Sequence, residues 1–95
     1  MTLRKVNNIV DGDTFDIETP IVWNGNKYTR IRPREYNTPE KGEPLFESMK
    51  KKLAALILGK TVEIGQCYKE DRGRLLCDVK YNGKDLADYF PDYKK

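Results

Sequence analysis

The sequence predicts a mainly β fold with helices (α+β): a closed barrel of five short strands, a helix between strands three and four, and a short helix at the C-terminal end. Three observations predict it. Turn-forming Asp-Gly and Asn-Gly dipeptides divide the first half into short β-prone runs. The apolar period then changes to steps of three and four over residues 44 to 58, and strand character returns after Gly59.

The runs "LRKVNNIV" and "TFDIET" flank Asp11-Gly12-Asp13, and Asp-Gly between β-prone segments is a tight-turn signal. A second turn is expected at Asn24-Gly25, followed by a third strand, "KYTRIRPRE", so the first half reads as a three-stranded meander. Pro33 cannot donate to a ladder and predicts an edge or bulge in that strand. From Pro44 to Leu58, Phe46, Met49, Leu53, Leu56 and Ile57 form one apolar helical face, with Pro44 suited to the first turn and Gly59 to the C-terminal cap. "KTVEIGQCY" and "RLLCDVKY" supply two more strands, and Asn82-Gly83 turns the chain into a short helix, "KDLADYF", that Pro91 ends. The order β-β-β-α-β-β-α matches the five-stranded OB barrel, which closes a sheet in a small chain and often presents a nucleic-acid-binding face. An SH3-like barrel would not carry so long a helix at that point, and an α+β sandwich stays open.

With 95 residues the chain is expected to form one domain, residues 1–95, with a single modest core. Charged residues are 35% of the chain and apolar ones 38%, which implies a thin core under a heavily solvated surface. The net charge of +3 is too small for binding by bulk electrostatics, so any phosphate recognition must come from locally placed arginines. Histidine is absent, which removes Ser-His-Asp and Cys-His chemistry, histidine bases and His-ligated metals. Cys67 and Cys77 have no CxxC spacing and are read as half-buried strand residues of a reduced protein, with a cross-strand disulfide as the lesser reading. "MTLRKVNNIV" carries no signal-like apolar stretch and no run approaches the ~20 apolar residues of a membrane span. A cytoplasmic location is expected if this start is natural, and a secreted one if a leader was removed.

Several short motifs could carry chemistry. "DGDT" alone is more often a hairpin turn than a site, but Asp13 could offer a carboxylate to a hard cation if partners gather round it. "NTPE" could provide them: an amide oxygen from Asn37, a backbone carbonyl from Thr38 and a second carboxylate from Glu40. In "YTRIRPRE" alternation puts Arg30, Arg32 and Arg34 on one face and Thr29 and Ile31 on the other. "EDRGR" places Arg74 at the start of a strand after a Gly73 turn, although a polar hairpin loop is the plainer reading. "LGKT" at 58 to 61 is no phosphate-binding loop, because Ala54 stands where its first glycine belongs. Lys50, Lys51 and Lys52 fan apart on a helix and read as solubilising charge.

The ordered set of "VDGDT", an Arg-bearing strand running into "TPE", "LGKTVEI", "DRGRLL" and "NGKDL" resembles the staphylococcal nuclease-like (thermonuclease) family along nearly the whole chain. The resemblance implies the OB barrel and a Ca²⁺-dependent phosphodiesterase acting on DNA or RNA with little sequence preference. It implies Asp13, Asn37 and Thr38 as metal ligands, Glu40 as the group that positions or deprotonates the attacking water, and Arg32 and Arg74 as the pair gripping the scissile phosphate. Three departures from the family pattern stand out: Asn37 replaces an acidic ligand and should weaken Ca²⁺ or shift the preferred metal, Arg72 replaces a tyrosine, and the sequence ends with "DYFPDYKK". The alternative is a binding module of the same fold, catalytically weak or inactive, holding nucleic acid or a protein. Barrel surface left bare at the short C-terminus leaves both monomer and homodimer open.

Overall fold

The computed structural model describes residues 2–95 and is a closed, mixed five-stranded barrel with one helix between strands three and four. Strands β1 (Thr2–Asp11), β2 (Thr14–Trp23) and β3 (Asn26–Pro33) form the antiparallel meander, α1 covers Phe46–Ile57, and β4 (Thr61–Asp71) and β5 (Arg74–Tyr81) form a hairpin. β4 pairs antiparallel with β1, placing Thr2 opposite Ile64. The barrel closes where β3 and β5 run parallel, with Ile31 opposite Leu75 and Pro33 opposite Cys77. A closed sheet leaves no long unpaired edge, and here the closure also sets Arg32 and Arg74 on adjacent strands.

The hairpin turns follow from local chemistry. Asn24-Gly25, Arg72-Gly73 and Asn82-Gly83 all have positive φ at both central residues, the conformation whose twist matches the flanking strands. The turn between β1 and β2 differs: among the described residues neither Gly12 nor Asp13 has positive φ. Gly12 is needed there for space. A Cβ on it would lie 2.6 Å from Thr38 Oγ1 and 2.8 Å from Met49 Cβ, so both the loop after β3 and helix α1 press directly on the turn's backbone.

The core is continuous from the barrel to the helix. Val6, Ile9, Phe15, Ile17, Ile31, Val62, Ile64, Leu75 and Val79 fill the interior, and Leu53 and Ile57 of α1 are fully buried against them. Met49 and Leu56 lie at the margin of the same face, as helical spacing requires, while Phe46 at the helix start is half-buried outside that cluster. Gly59 takes φ 78° just past the helix, and its N–H bonds to the Val6 carbonyl while the Val6 N–H bonds to Lys60, which locks the helix end to β1.

Two boundaries differ from expectation. α1 begins at Phe46, with Pro44 outside it, because Leu45 sits at φ 71° and interrupts the helical path. The expected C-terminal helix divides: Lys84–Asp85 (β6) pairs with β5, and only two 3₁₀ turns follow, Leu86–Tyr89 and Pro91–Tyr93. Pro91 opens the second turn where it was expected to end a helix. The segment is bent by burial of Leu86, Ala87 and Phe90, and Phe90 stacks on Tyr36 at 4.7 Å between ring centroids with planes 11° apart. Among the described residues no helix is long and apolar enough to cross a membrane.

Gly12→Ala is expected to destabilise the fold by about 1–3 kcal/mol, because neither backbone-proximal neighbour can yield freely. Equilibrium denaturation measures this; an unchanged midpoint would contradict the close approach.

Candidate active site

One cleft of about 650 Å³ opens beside the β1–β2 turn, and its lining includes Asp13, Arg32, Asn37, Thr38, Glu40 and Arg74. All of the sequence-predicted site residues therefore meet on one surface, although they come from a turn, a strand, a loop and a second hairpin.

Asp13 is the anchor. Asp11 Oδ1 accepts the Asp13 N–H at 3.0 Å, which shapes the turn and aims the Asp13 side chain inward. There Asp13 Oδ2 accepts the Thr38 N–H at 3.1 Å and lies 3.4 Å from Arg32 Nη2. Tyr36, fully buried, donates its hydroxyl to the Gly12 carbonyl at 2.9 Å, a second tie between the turn and the loop after β3. Burial pushes the Tyr36 hydroxyl well above its ordinary range, so it remains a donor at all physiological pH.

The Asp13 carboxyl is pushed up to about 6, chiefly by burial and next by its hydrogen bond with Asp11, against the opposing pull of Arg32. A carboxylate so placed is held ionised at neutral pH against its surroundings. The loop adds a further polar oxygen, since the buried Thr38 Oγ1 has no hydrogen-bond partner.

Arg32 is largely covered, with its side chain 13% exposed, and its guanidinium is occupied. Nη1 donates to the Pro33 and Tyr36 carbonyls at 2.6 and 3.1 Å, and Nη2 donates to the Asn37 amide oxygen beside the Asp13 contact. Arg74 is more open: Nη2 bonds Asp71 Oδ2 at 2.8 Å, which holds the Asp71 carboxyl below its ordinary range. Glu40 is exposed and lines the cleft, and its backbone N–H is held by Glu43 Oε1 at 2.7 Å. The Asn37 N–H bonds to the Tyr93 carbonyl at 3.1 Å and Lys95 N–H to Glu35, so the C-terminal residues brace the loop.

The expected three-arginine face holds only in part. Arg30 and Arg32 both reach the cleft, Arg30 through a pair with Asp16 at 2.9 Å on its rim. Arg34 does not. The chain bends after Pro33, and Arg34 turns to Asp78 at 3.0 Å with its guanidinium 4.6 Å above the Tyr68 ring. Sequence reasoning assigned no role to Asp11, Tyr36 or the Glu43 contact. Asp11 carried a readable signal, an Asx side chain two residues before a turn N–H; the Tyr36 contact is long-range and carried none. Arg72, noted only as a departure from a family pattern, lines the cleft from the tip of the β4–β5 hairpin.

The donors around Asp13 suit a hard cation in kind: the carboxylates of Asp11 and Asp13, the Asn37 amide oxygen and the Thr38 carbonyl are all oxygen. Among the described residues no group of three or more His, Cys, Asp or Glu side chains is gathered for a metal, so any ion there depends on amide and carbonyl oxygens as well. The elevated Asp13 carboxyl fits a position that gains from positive charge, while the unpartnered Thr38 Oγ1 is packed against Gly12.

No protein-family model matches the chain. It is similar to a Haemophilus influenzae protein named as an uncharacterized endonuclease, at 32% identity over 82 residues. That alignment takes in 86% of this chain but 44% of the relative, so the chain spans less than half the length of the curated relative it matches.

The raised Asp13 carboxyl makes a stability forecast. Between the ordinary value of 3.8 and about 6 the folded protein binds a proton that the unfolded chain has released. Stability therefore falls as pH rises through that window, and the penalty, on the order of 2 kcal/mol, is complete by pH 7. Asp13→Asn in chelator is expected to raise the melting temperature at pH 7 and to change it little at pH 4. A lower melting temperature at pH 7 would show that the charged form is the stabilised one.

Proposed function

We propose that the chain is a divalent-metal-dependent phosphodiesterase of the staphylococcal nuclease-like kind, cleaving DNA or RNA with little sequence preference. The observation that carries this reading is the convergence of Asp13, Arg32, Asn37, Thr38, Glu40 and Arg74 on a single cleft. The endonuclease name of the similar Haemophilus influenzae protein agrees with it.

Hydrolysis of a phosphodiester adds negative charge at the phosphoryl oxygens, so a competent site must hold positive charge there in advance. Asp13, Asn37 Oδ1 and the Thr38 carbonyl would hold Ca²⁺, which when bound supplies that charge at the scissile phosphate. Arg74 reaches the phosphate by exchanging its Asp71 partner for phosphoryl oxygens, a pairing that a guanidinium can make through two N–H groups at once. Arg32 contributes its charge from a fixed position, because two backbone carbonyls already hold its orientation. Glu40 takes the proton of the attacking water, a role a carboxylate fills in a chain without histidine.

A second reading, a binding module without turnover, has a specific observation in its favour. The Arg32 guanidinium touches both Asp13 and Asn37, so a side-chain cation already sits against two of the oxygens assigned to the metal.

Degradation of plasmid and single-stranded substrates with and without Ca²⁺ separates the two. The enzyme reading expects activity abolished by chelator and reduced ~10²–10³-fold, or ~3–4 kcal/mol, in Glu40→Gln and Arg74→Ala, with substrate binding retained in Glu40→Gln. Binding with no turnover under any divalent metal supports the module. Asn37→Asp restores a negative charge to the cation position and is expected to tighten Ca²⁺ binding by calorimetry; unchanged or weaker affinity removes Asn37 as a ligand.

A further inference from the structure

Cys67 on β4 and Cys77 on β5 are free thiols lying directly opposite one another, with their sulfurs 2.8 Å apart. The hairpin's register shows that this meeting is built. On the barrel side Glu63 and Ile64 pair with Lys80 and Val79; toward the tip Lys69, Glu70 and Asp71 pair with Leu76, Leu75 and Arg74. Continued without interruption, the first register would set Cys77 against Gln66 and the second would set it against Tyr68. In either case Cys67 would point to the opposite face, since a one-residue slip exchanges faces. Two register irregularities bracket Cys67, one on each side, and between them they bring it level with Cys77. Bulges of this kind re-aim side chains and are treated as designed features.

We propose that Cys67 and Cys77 are a site of reversible disulfide formation that closes the β4–β5 hairpin across its middle, with a small-molecule disulfide as the oxidant. Opposed residues of an antiparallel pair lie about 4.5–5.5 Å apart at Cα, inside the range of about 4.4–6.8 Å that a disulfide spans. The order of events follows from exposure. Cys67 is half-buried and Cys77 wholly buried, and burial raises the Cys77 thiol well above its ordinary range. The Cys67 thiolate attacks one sulfur of the small disulfide, forming a mixed disulfide and releasing one thiolate. Cys77 then attacks the Cys67 sulfur, the intramolecular S–S bond forms, and the second small thiolate leaves. Two electrons pass from the cysteines to the oxidant, and the two thiol protons end on the two released thiols.

The bond would replace ladder contacts where the two irregularities interrupt them, below the tip that carries Arg72 and Arg74 into the cleft. The proposal does not depend on what the cleft does. It is tested by equilibrating the full chain with mixtures of reduced and oxidised glutathione, trapping free thiols by alkylation and weighing the products. Wild type is expected to lose two hydrogens within one chain, to melt about 5 °C or more higher when oxidised, and to slow amide exchange over residues 68–76. Cys77→Ser should stop at a glutathione adduct on Cys67, and Cys67→Ser should keep its thiol. Wild type that retains both thiols in oxidised glutathione, accumulates the adduct without closing, or links separate chains overturns the proposal. A bond that forms with melting and exchange unchanged overturns the hairpin-closing role.

Discussion

The buried carboxylate of Asp13 is the constraint on which the rest of the site depends. It accepts the Thr38 N–H and faces Arg32, so one side chain joins the β1–β2 turn, the end of β3 and the loop that carries Glu40. Burial makes that carboxyl costly to ionise, with its value near 6. A protein selected for stability alone would not place a charge there, and perturbed carboxyls in clefts are associated with function for this reason. The surrounding contacts absorb the cost. Tyr36 bonds the Gly12 carbonyl and stacks on Phe90, and the Asn37 N–H is held by Tyr93, so the last residues of the chain steady the loop from behind.

Barrel closure supplies the second half of the arrangement. Residues 31 and 75 are far apart in sequence, and only the parallel β3–β5 pairing makes them neighbours. Alternation then does the sorting: Ile31, Leu75 and Cys77 go to the core, while Arg30, Arg32 and Arg74 face the cleft. The tight Arg72-Gly73 turn delivers one further cationic position, Arg72 at its tip, just before Arg74. A chain with a net charge of only +3 thus gathers arginines from two separate segments at one cleft, where acidic side chains already pair with Arg30, Arg32 and Arg74.

Much of the fold was legible because its signals are local. The Asn-Gly turns, the apolar face of α1 and the Gly59 cap each depend on neighbours within a few residues, and each is where spacing puts it. Two of the failures have the opposite origin: the bending of Leu86 to Tyr93 by burial of Phe90 and the swing of Arg34 toward Asp78 arise from tertiary contacts. The positive φ at exposed Leu45, which excludes Pro44 from α1, is a backbone conformation that apolar spacing does not report. The cross-strand meeting of Cys67 with Cys77, the lesser reading of the two cysteines in the sequence, depends on two irregularities that shift the ladder, whereas period alone assumes an unbroken register. At the cleft, the motifs named the residues that gather there, yet nothing in them reveals that Arg32 is held by the Pro33 and Tyr36 carbonyls or that Asp11 shapes the turn.

The proposed function requires the Asp13–Thr38 junction and Arg74 to form one phosphate-binding cleft. Amide NMR during titration with a hydrolysis-resistant phosphorothioate dinucleotide in Ca²⁺ tests it most directly. The account predicts that the Asp13, Thr38 and Arg74 amides shift together with a single saturation curve. Shifts confined to α1 or the β2–β3 hairpin, or separate curves for the turn and for Arg74, would contradict it.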